Sequence, residues 1–232
     1  MKQTTPPVRG LLSLVAFVAL TVGLAAQTAV QTGVHPISGR RFAPVMSAAG
    51  ADWLDRAERI DEEDPDRAIA VLAISKGATV ADIGAGSGYM TVKLAARVGA
   101  TGTVYANDIQ PEMLRLLGQR LMARRITNVM LVQGAVDDPK LPPSMIDLEL
   151  LVDVYHEFSE PQVMLRHLRD SLKPDGRLVL LEYRKEDPAI PIRPEHKMSV
   201  ADAKLEVEAE GFMLSKVDES LPRQHILIFT KR

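Results

Sequence analysis

The chain has 232 residues, 46% of them apolar and 25% charged, with a formal net charge of −2. That is apolar content enough for a sizeable core in one large or two small domains, and the near-neutral balance argues against a nucleic-acid partner. Cysteine is absent, which excludes disulfides, thiolate metal sites and cysteine nucleophiles.

Residues 1–26 have the layout of a targeting segment. Lys2 and Arg9 supply a basic start, Leu11 to Ala26 carries no charge, and Gly23, Ala25 and Ala26 close it with small side chains. The uncharged run falls short of the roughly 20 residues a spanning helix needs. A signal peptide is therefore expected ahead of a retained membrane anchor. Either would leave the remainder outside the cytoplasm, periplasmic or secreted or membrane-anchored. Membrane attachment is expected through residues 10–26 only. Initiation at Met46 would instead remove the segment and give a cytoplasmic protein. Residues 27–47 show no periodicity and contain Pro36, Gly39 and Pro44, so they read as a linker before a domain over 48–232.

From Ala51 to Ala73 the chain is charged and helical in pattern. Trp53, Leu54, Ala57 and Ile60 share one face, and Pro65 can open a second helix carrying Ile69, Val71 and Leu72. Thr79 to Ile83 is a short apolar run with a β-branched bias, the pattern of a buried strand. Gly84, Gly86 and Gly88 follow at alternate positions, and Met90, Leu94, Ala95 and Val98 then recur at helical steps. Strand, glycine turn and helix bring a ligand against bare backbone and the free N–H groups of a first helical turn. The spacing is G-x-G-x-G, with the third glycine one residue early for the G-x-G-x-x-G dinucleotide fingerprint. Asp82 stands just before the first glycine, and a carboxylate there opposes a pyrophosphate but suits an amino group.

Further strands are expected at Gly102–Ala106, ending at Asn107 and Asp108, at Asn128–Gly134, and at Ile146–Val152, which leads into Asp153-Val154-Tyr155-His156-Glu157-Phe158. After a helix over Gln162–Leu172 and a turn at Lys173–Arg177, Leu178–Leu181 forms a fifth strand. A helix over Val200–Glu210, a strand over Phe212–Val217 and a final strand over His225–Phe229 complete the chain. In a doubly wound sheet the ligand sits at the carboxyl ends of the parallel strands, so Asp108, Asp153 to Phe158 and the segment after Leu181 converge on one edge.

Asp82, the glycine triplet, Asp108 twenty residues beyond Gly88, and the stretch from Leu172 to Glu182 resemble the class I S-adenosylmethionine-dependent methyltransferases, over residues 51–232. The resemblance implies an α/β fold: a doubly wound, seven-stranded, mostly parallel sheet with an antiparallel last strand. It implies S-adenosyl-L-methionine as cofactor, a small-molecule methyl acceptor, and a methyltransferase domain over 48–232. Asp82, Gly84, Gly86 and Gly88 would form the cofactor turn and Asp108 would bind the ribose hydroxyls. Ile109 and Met113 would flank the adenine, and Asp137 would accept from its amino group. Asp153 would lie by the methionine half, and Trp53 to Arg59 would resemble the N-terminal cover of the cleft.

Tyr155 and His156 are the catalytic candidates, since an imidazole titrates near neutrality and a phenol can orient a hydroxyl. The long segment Tyr183–Met198, rich in proline and basic residues, would close over the acceptor, with Tyr183, Arg184, His196 and Lys197 as binding residues. Against these stand plainer readings: Asp108 as a helix cap, Asp137 as a turn residue, His156 as a locally bonded histidine, Tyr183–Met198 as a solvated loop. His225 is expected to be structural. No metal is expected, because no cluster of His and carboxylates shows ligand spacing. The alternatives to a methyltransferase are a non-catalytic S-adenosylmethionine-binding protein and an NAD-binding Rossmann oxidoreductase. Export would also separate the protein from a cofactor made in the cytoplasm, a conflict that initiation at Met46 removes.

Overall fold

Alternation of side chains along each strand sorts the apolar residues of this chain into two cores, one on either face of a single sheet. The computed structural model describes residues 33–232, together with Met1; residues 1–26 as a signal peptide or anchor, and the first part of the expected linker, lie outside the described residues. Among the described residues, no helix is long and apolar enough to cross a membrane.

In chain order the elements are α1 (Ala51–Leu54), α2 (Arg59–Glu63), α3 (Pro65–Val71), β1 (Thr79–Ile83), α4 (Tyr89–Val98), β2 (Thr103–Asp108), α5 (Pro111–Arg124), β3 (Val129–Gln133) and β4 (Ile146–Val152). They continue with α6 (Pro161–Ser171), β5 (Leu172–Arg184), β6 (Lys197–Met198), α7 (Val200–Glu208), β7 (Phe212–Asp218) and β8 (Gln224–Lys231). The sheet order is β3-β2-β1-β4-β5-β8-β7, with the two-residue β6 beside β5. Neighbours from β3 to β5 run parallel, and β8 is antiparallel to both β5 and β7. Val80, Leu148, Leu150, Val179, Leu181, Ile226 and Ile228 meet α3 and α4 on one face. Ala81, Ile83, Leu151, Leu178, Leu180, Leu227 and Phe229 meet α6 and α7 on the other. The doubly wound, mostly parallel architecture expected from sequence is the one observed.

Two local differences have physical causes. The turn expected at Lys173–Arg177 lies within β5 as a bulge. Ile146 pairs with Leu172 and Leu148 with Arg177, so three extra residues loop out without ending the strand. Residues 33–47, expected as part of a linker, pack on the domain. Val34 pairs with Arg41 across a tight turn, and the buried Arg40 guanidinium donates to both carboxylate oxygens of Glu206 on α7, at 3.1 and 3.0 Å. Arg40 Nη1 and the Ala43 N–H both donate to the His156 carbonyl, at 3.0 and 3.1 Å. Periodicity could not reveal this strap, because polar groups hold it more than an apolar stripe does.

Candidate functional site

A cavity of about 440 Å³ opens at the carboxyl ends of β1, β2, β4 and β5, lined by Gly84, Gly86, Asp108, Ile109, Asp153, His156, Tyr183 and His196 among others. Its volume is that of an ordinary small-molecule site, roughly 300–1,000 Å³.

The glycine turn forms the floor. Gly86 has φ +55, and a Cβ there would stand 2.6 Å from Leu54 Cδ1, so a side chain would be strained and would have to displace Leu54. Gly88 does not line the cavity and faces α5 instead. Asp82 departs from its expected role in the same way. Its side chain is on the α4 side of the sheet, 2% exposed, and accepts from Thr91 Oγ1 at 2.5 Å. Burial pushes its carboxyl up to about 6.

Asp108, the last residue of β2, lies on the cavity wall. Its Oδ2 accepts from the Gly86 N–H at 2.9 Å and its Oδ1 from the Gln110 N–H at 2.8 Å. Burial raises its pKa against those backbone donors. The carboxylate thus caps the turn and starts α5 while retaining acceptor capacity on each oxygen. Ile109 and Met113 line one wall and Ala135 and Val136 another. Asp137 is exposed on the following turn and is not among the lining residues.

At the far end, consecutive residues part company. Asp153, with φ +54, lines the cavity and accepts from Gln224 Nε2 at 2.7 Å. Burial, then the nearby Glu63 and Glu182 carboxylates, pushes its pKa well above the carboxylate range. Tyr155 is fully buried in the α6–α7 core, its ring 5.7 Å from that of Phe158 and 5.7 Å from the Arg40 guanidinium. It does not reach the cavity. The 3₁₀ turn Tyr155–Glu157 sends the next side chains the other way, so His156 and Glu157 line it.

Glu182, near the end of β5, fixes this turn. Its Oε1 accepts from the Tyr155 N–H at 3.0 Å and its Oε2 lies 2.6 Å from His156 Nδ1. Burial pulls the His156 pKa down, but the Glu182 charge and hydrogen bond outweigh it and the net shift is upward. His156 Nε2 lies 3.2 Å from His196 Nδ1, whose ring belongs to the 3₁₀ turn Pro194–His196. Burial, then the neighbouring His156, lowers the His196 pKa. Glu157 is buried enough to be pushed up to about 7. One ligand-capable atom each of His156, Glu157 and His196 lies within 4.8 Å of the others. No sequence spacing signals this group, since forty residues separate the two histidines.

Of the segment expected over the acceptor, Pro191, Ile192, Arg193 and His196 line the cavity. Arg184 instead donates to Glu219 Oε2 at 2.5 Å and to the Pro222 carbonyl at 2.9 Å, and Lys197 Nζ donates to the Asp187 carbonyl at 3.0 Å. Neither is a lining residue. Tyr183 lines the cavity and its hydroxyl donates to Glu63 Oε1 at 2.8 Å. His225 is fully buried in β8.

Trp53, Leu54, Arg56 and Arg59, from the stretch expected to cover the cleft, line the cavity, and so does Glu63 of α2, which sequence reasoning did not single out. Arg56 stacks 3.9 Å from the Trp53 ring and donates to Glu63 Oε1 at 2.6 Å, and Arg59 donates to Glu63 Oε2 at 2.6 Å. Glu182 was also missed as a partner of His156, although its place near the end of a central strand, at the ligand edge, was a usable signal.

Residues 80–176 match the family model described as "Methyltransferase domain". A curated relative, the ubiquinone/menaquinone biosynthesis C-methyltransferase UbiE of Ectopseudomonas mendocina, is 32% identical over 118 residues, 50% of this chain and 46% of that protein. The matched region thus spans about half the length of such relatives. Among solved structures, a SAM-dependent methyltransferase from Aquifex aeolicus superposes with a TM-score of 0.75 at 26% identity, covering 80% of this chain and 98% of that one. A TehB-like SAM-dependent methyltransferase from Corynebacterium glutamicum, at 18% identity and a TM-score of 0.59 over 80% of this chain and 100% of its own, shares the fold. Residues 80–176 thus match a methyltransferase domain, in a chain whose fold is that of the S-adenosylmethionine-dependent methyltransferases.

Proposed function

We propose that the protein transfers a methyl group from S-adenosylmethionine to a small molecule, with the cofactor along the Gly84–Gly86 turn and the acceptor against His156. Several observations support the fit of that cofactor: bare backbone at Gly86 where a Cβ would clash, the Asp108 carboxylate at the end of β2, and the apolar walls of Ile109, Met113 and Val136. When bound, the cofactor supplies a methyl group on a sulfonium, open to direct displacement by an aligned nucleophile.

The chain's own contribution is alignment and the handling of one proton. Glu182 Oε2, 2.6 Å from His156 Nδ1, accepts the Nδ1–H hydrogen bond and thereby leaves the lone pair on Nε2, which faces His196 Nδ1 at 3.2 Å. An acceptor O–H that takes the place of His196 beside Nε2 gives its proton there, and Glu182 stabilises the imidazolium. Tyr155 has no part in this, and Asp153 shapes the wall. The relatives named as C-methyltransferases of quinone biosynthesis favour phenol- or enol-type acceptors, whose ring carbon becomes nucleophilic once a neighbouring hydroxyl is deprotonated.

The buried Glu182–His156 pair aimed at the cavity carries this reading. Purified protein with S-adenosylmethionine and a panel of phenols, quinols and enols should form S-adenosylhomocysteine. Glu182→Gln should lower kcat by roughly 100-fold with the cofactor affinity unchanged. Tight cofactor binding with no turnover on any acceptor would instead make it a binding protein, and binding of NAD alone would make it an oxidoreductase. Residues 1–26 are proposed to direct export or to anchor the chain. Mass spectrometry of the native N-terminus tests this, a start near Gln27 supporting cleavage and a start at Met46 overturning export.

A further inference from the structure

We propose that His156 Nε2, His196 Nδ1 and the Glu157 carboxylate form a binding site for a divalent first-row cation of the zinc class, open toward the acceptor side of the cavity. The inference rests on the methyltransferase reading only for what the cation would do, and not for whether it binds.

The argument begins at Glu182. Its carboxylate, fully buried, can only accept, so the 2.6 Å contact leaves the proton on His156 Nδ1 and a lone pair on Nε2. That is the arrangement by which a carboxylate behind a histidine orients its other nitrogen toward a metal. Nε2 does not face solvent. It faces a second ring nitrogen, His196 Nδ1, at 3.2 Å, with the rings near perpendicular at 83°.

Two nitrogens bonded to one cation at about 2.0–2.1 Å in tetrahedral geometry stand roughly 3.3 Å apart, close to the observed separation. Glu157, the next residue along the same 3₁₀ turn, brings an oxygen within 4.8 Å of both. Two imidazoles and one carboxylate suit zinc or a neighbouring divalent ion and leave coordination positions unfilled. The ligands are also held firmly: the His156 carbonyl receives Arg40 Nη1 and the Ala43 N–H, so the strap clamps the turn from behind.

A cation here would bind an acceptor oxygen and favour its deprotonated form. In that state His156 would act on the acceptor through the ion rather than directly.

The test uses the untagged full chain, stripped with chelator and titrated with Co²⁺ as a visible probe and with Zn²⁺ in competition. One equivalent of Co²⁺ should produce visible absorption bands that Zn²⁺ abolishes. His196→Ala and Glu157→Gln should each weaken binding by at least 100-fold. Glu182→Gln should weaken it by about 10- to 100-fold. His167→Ala, on the exposed side of α6, should leave it unchanged. Thermal melts in the absence of metal separate loss of ligands from loss of fold. Absence of the bands in the wild type, or equal weakening in His167→Ala, overturns the proposal. S-adenosylmethionine titrated into the same samples tests the methyltransferase reading separately, since either ligand can bind while the other does not.

Discussion

Replacing Asp108 by alanine separates two jobs that its carboxylate is placed to do. In the structure each oxygen already accepts one backbone N–H, from Gly86 and Gln110. Each also keeps acceptor capacity toward the cavity. If the ribose hydroxyls bind there, the substitution removes charge-assisted hydrogen bonds worth about 1.5–3 kcal/mol. The cofactor dissociation constant should then rise by roughly 10- to 150-fold. The same change strands the Gly86 N–H in a buried turn, at a further cost of about 1–3 kcal/mol to the fold, or roughly 2–12 °C in Tm for a chain of this size. Calorimetric titration of S-adenosylmethionine and a thermal melt read the two effects independently. Asp108→Asn, which keeps one acceptor oxygen but loses the charge, should fall between. A lowered Tm with unchanged cofactor affinity would refute the ribose role and leave Asp108 as a cap alone.

Gly88→Ala and Gly118→Ala should move stability in opposite directions. At Gly88 (φ +89) a Cβ would meet Leu117 Cδ1 at 2.0 Å, and about 2–4 kcal/mol of destabilisation is expected from strain and overpacking. At Gly118, inside α5, the nearest atom is an ordinary 3.4 Å away, and about 0.5–1 kcal/mol of stabilisation is expected. Urea titrations decide both, and equal effects would contradict the geometry. Asp82→Asn should change the pH dependence of stability. Burial raises the Asp82 carboxyl to about 6, so the native state holds a proton that the unfolded chain has released. Its stabilising contribution is full below the unfolded pKa near 4 and is lost as pH rises through about 6. Relative to wild type the variant should therefore gain stability as pH rises from about 4 to about 6, as followed by Tm in chelator. Arg40→Ala should cost about 3–5 kcal/mol by leaving the Glu206 carboxylate buried without its partner, and a chemical denaturation curve within 1 kcal/mol of wild type would show the strap to be dispensable.

The fold was legible because its signals are local and repeated. The β1 turn announces itself by three glycines and an acid, and each later strand by a short apolar run at βα spacing. Asp108 was legible for the same reason: it ends a strand at the edge where ligands gather. Adjacent residues were harder to tell apart. Tyr155 and His156 look equally chemical in sequence, yet a 3₁₀ turn sends one into the core and the other to the cavity. Arg184 and Lys197 were chosen for charge in a segment that does reach the cavity, but backbone carbonyls elsewhere take both side chains. Glu182 and His196 needed tertiary contact to be understood, because what matters about each is its distance from His156. The strap was invisible because a buried ion pair such as Arg40–Glu206 leaves no periodic trace.

β8 comes last in chain order among the strands yet sits inside the sheet, between β5 and β7. Its side chains enter both cores, Ile226 and Ile228 on one face and Leu227 and Phe229 on the other. During synthesis, then, neither hydrophobic layer can close until residues beyond Gln224 have left the ribosome. A nascent chain that ends earlier presents the flank of β5 as an unpaired edge beside two half-built layers. It stays available to any factor that handles unfolded polypeptides. The order of strands therefore works as a timer, holding the domain open until its final segment has been made.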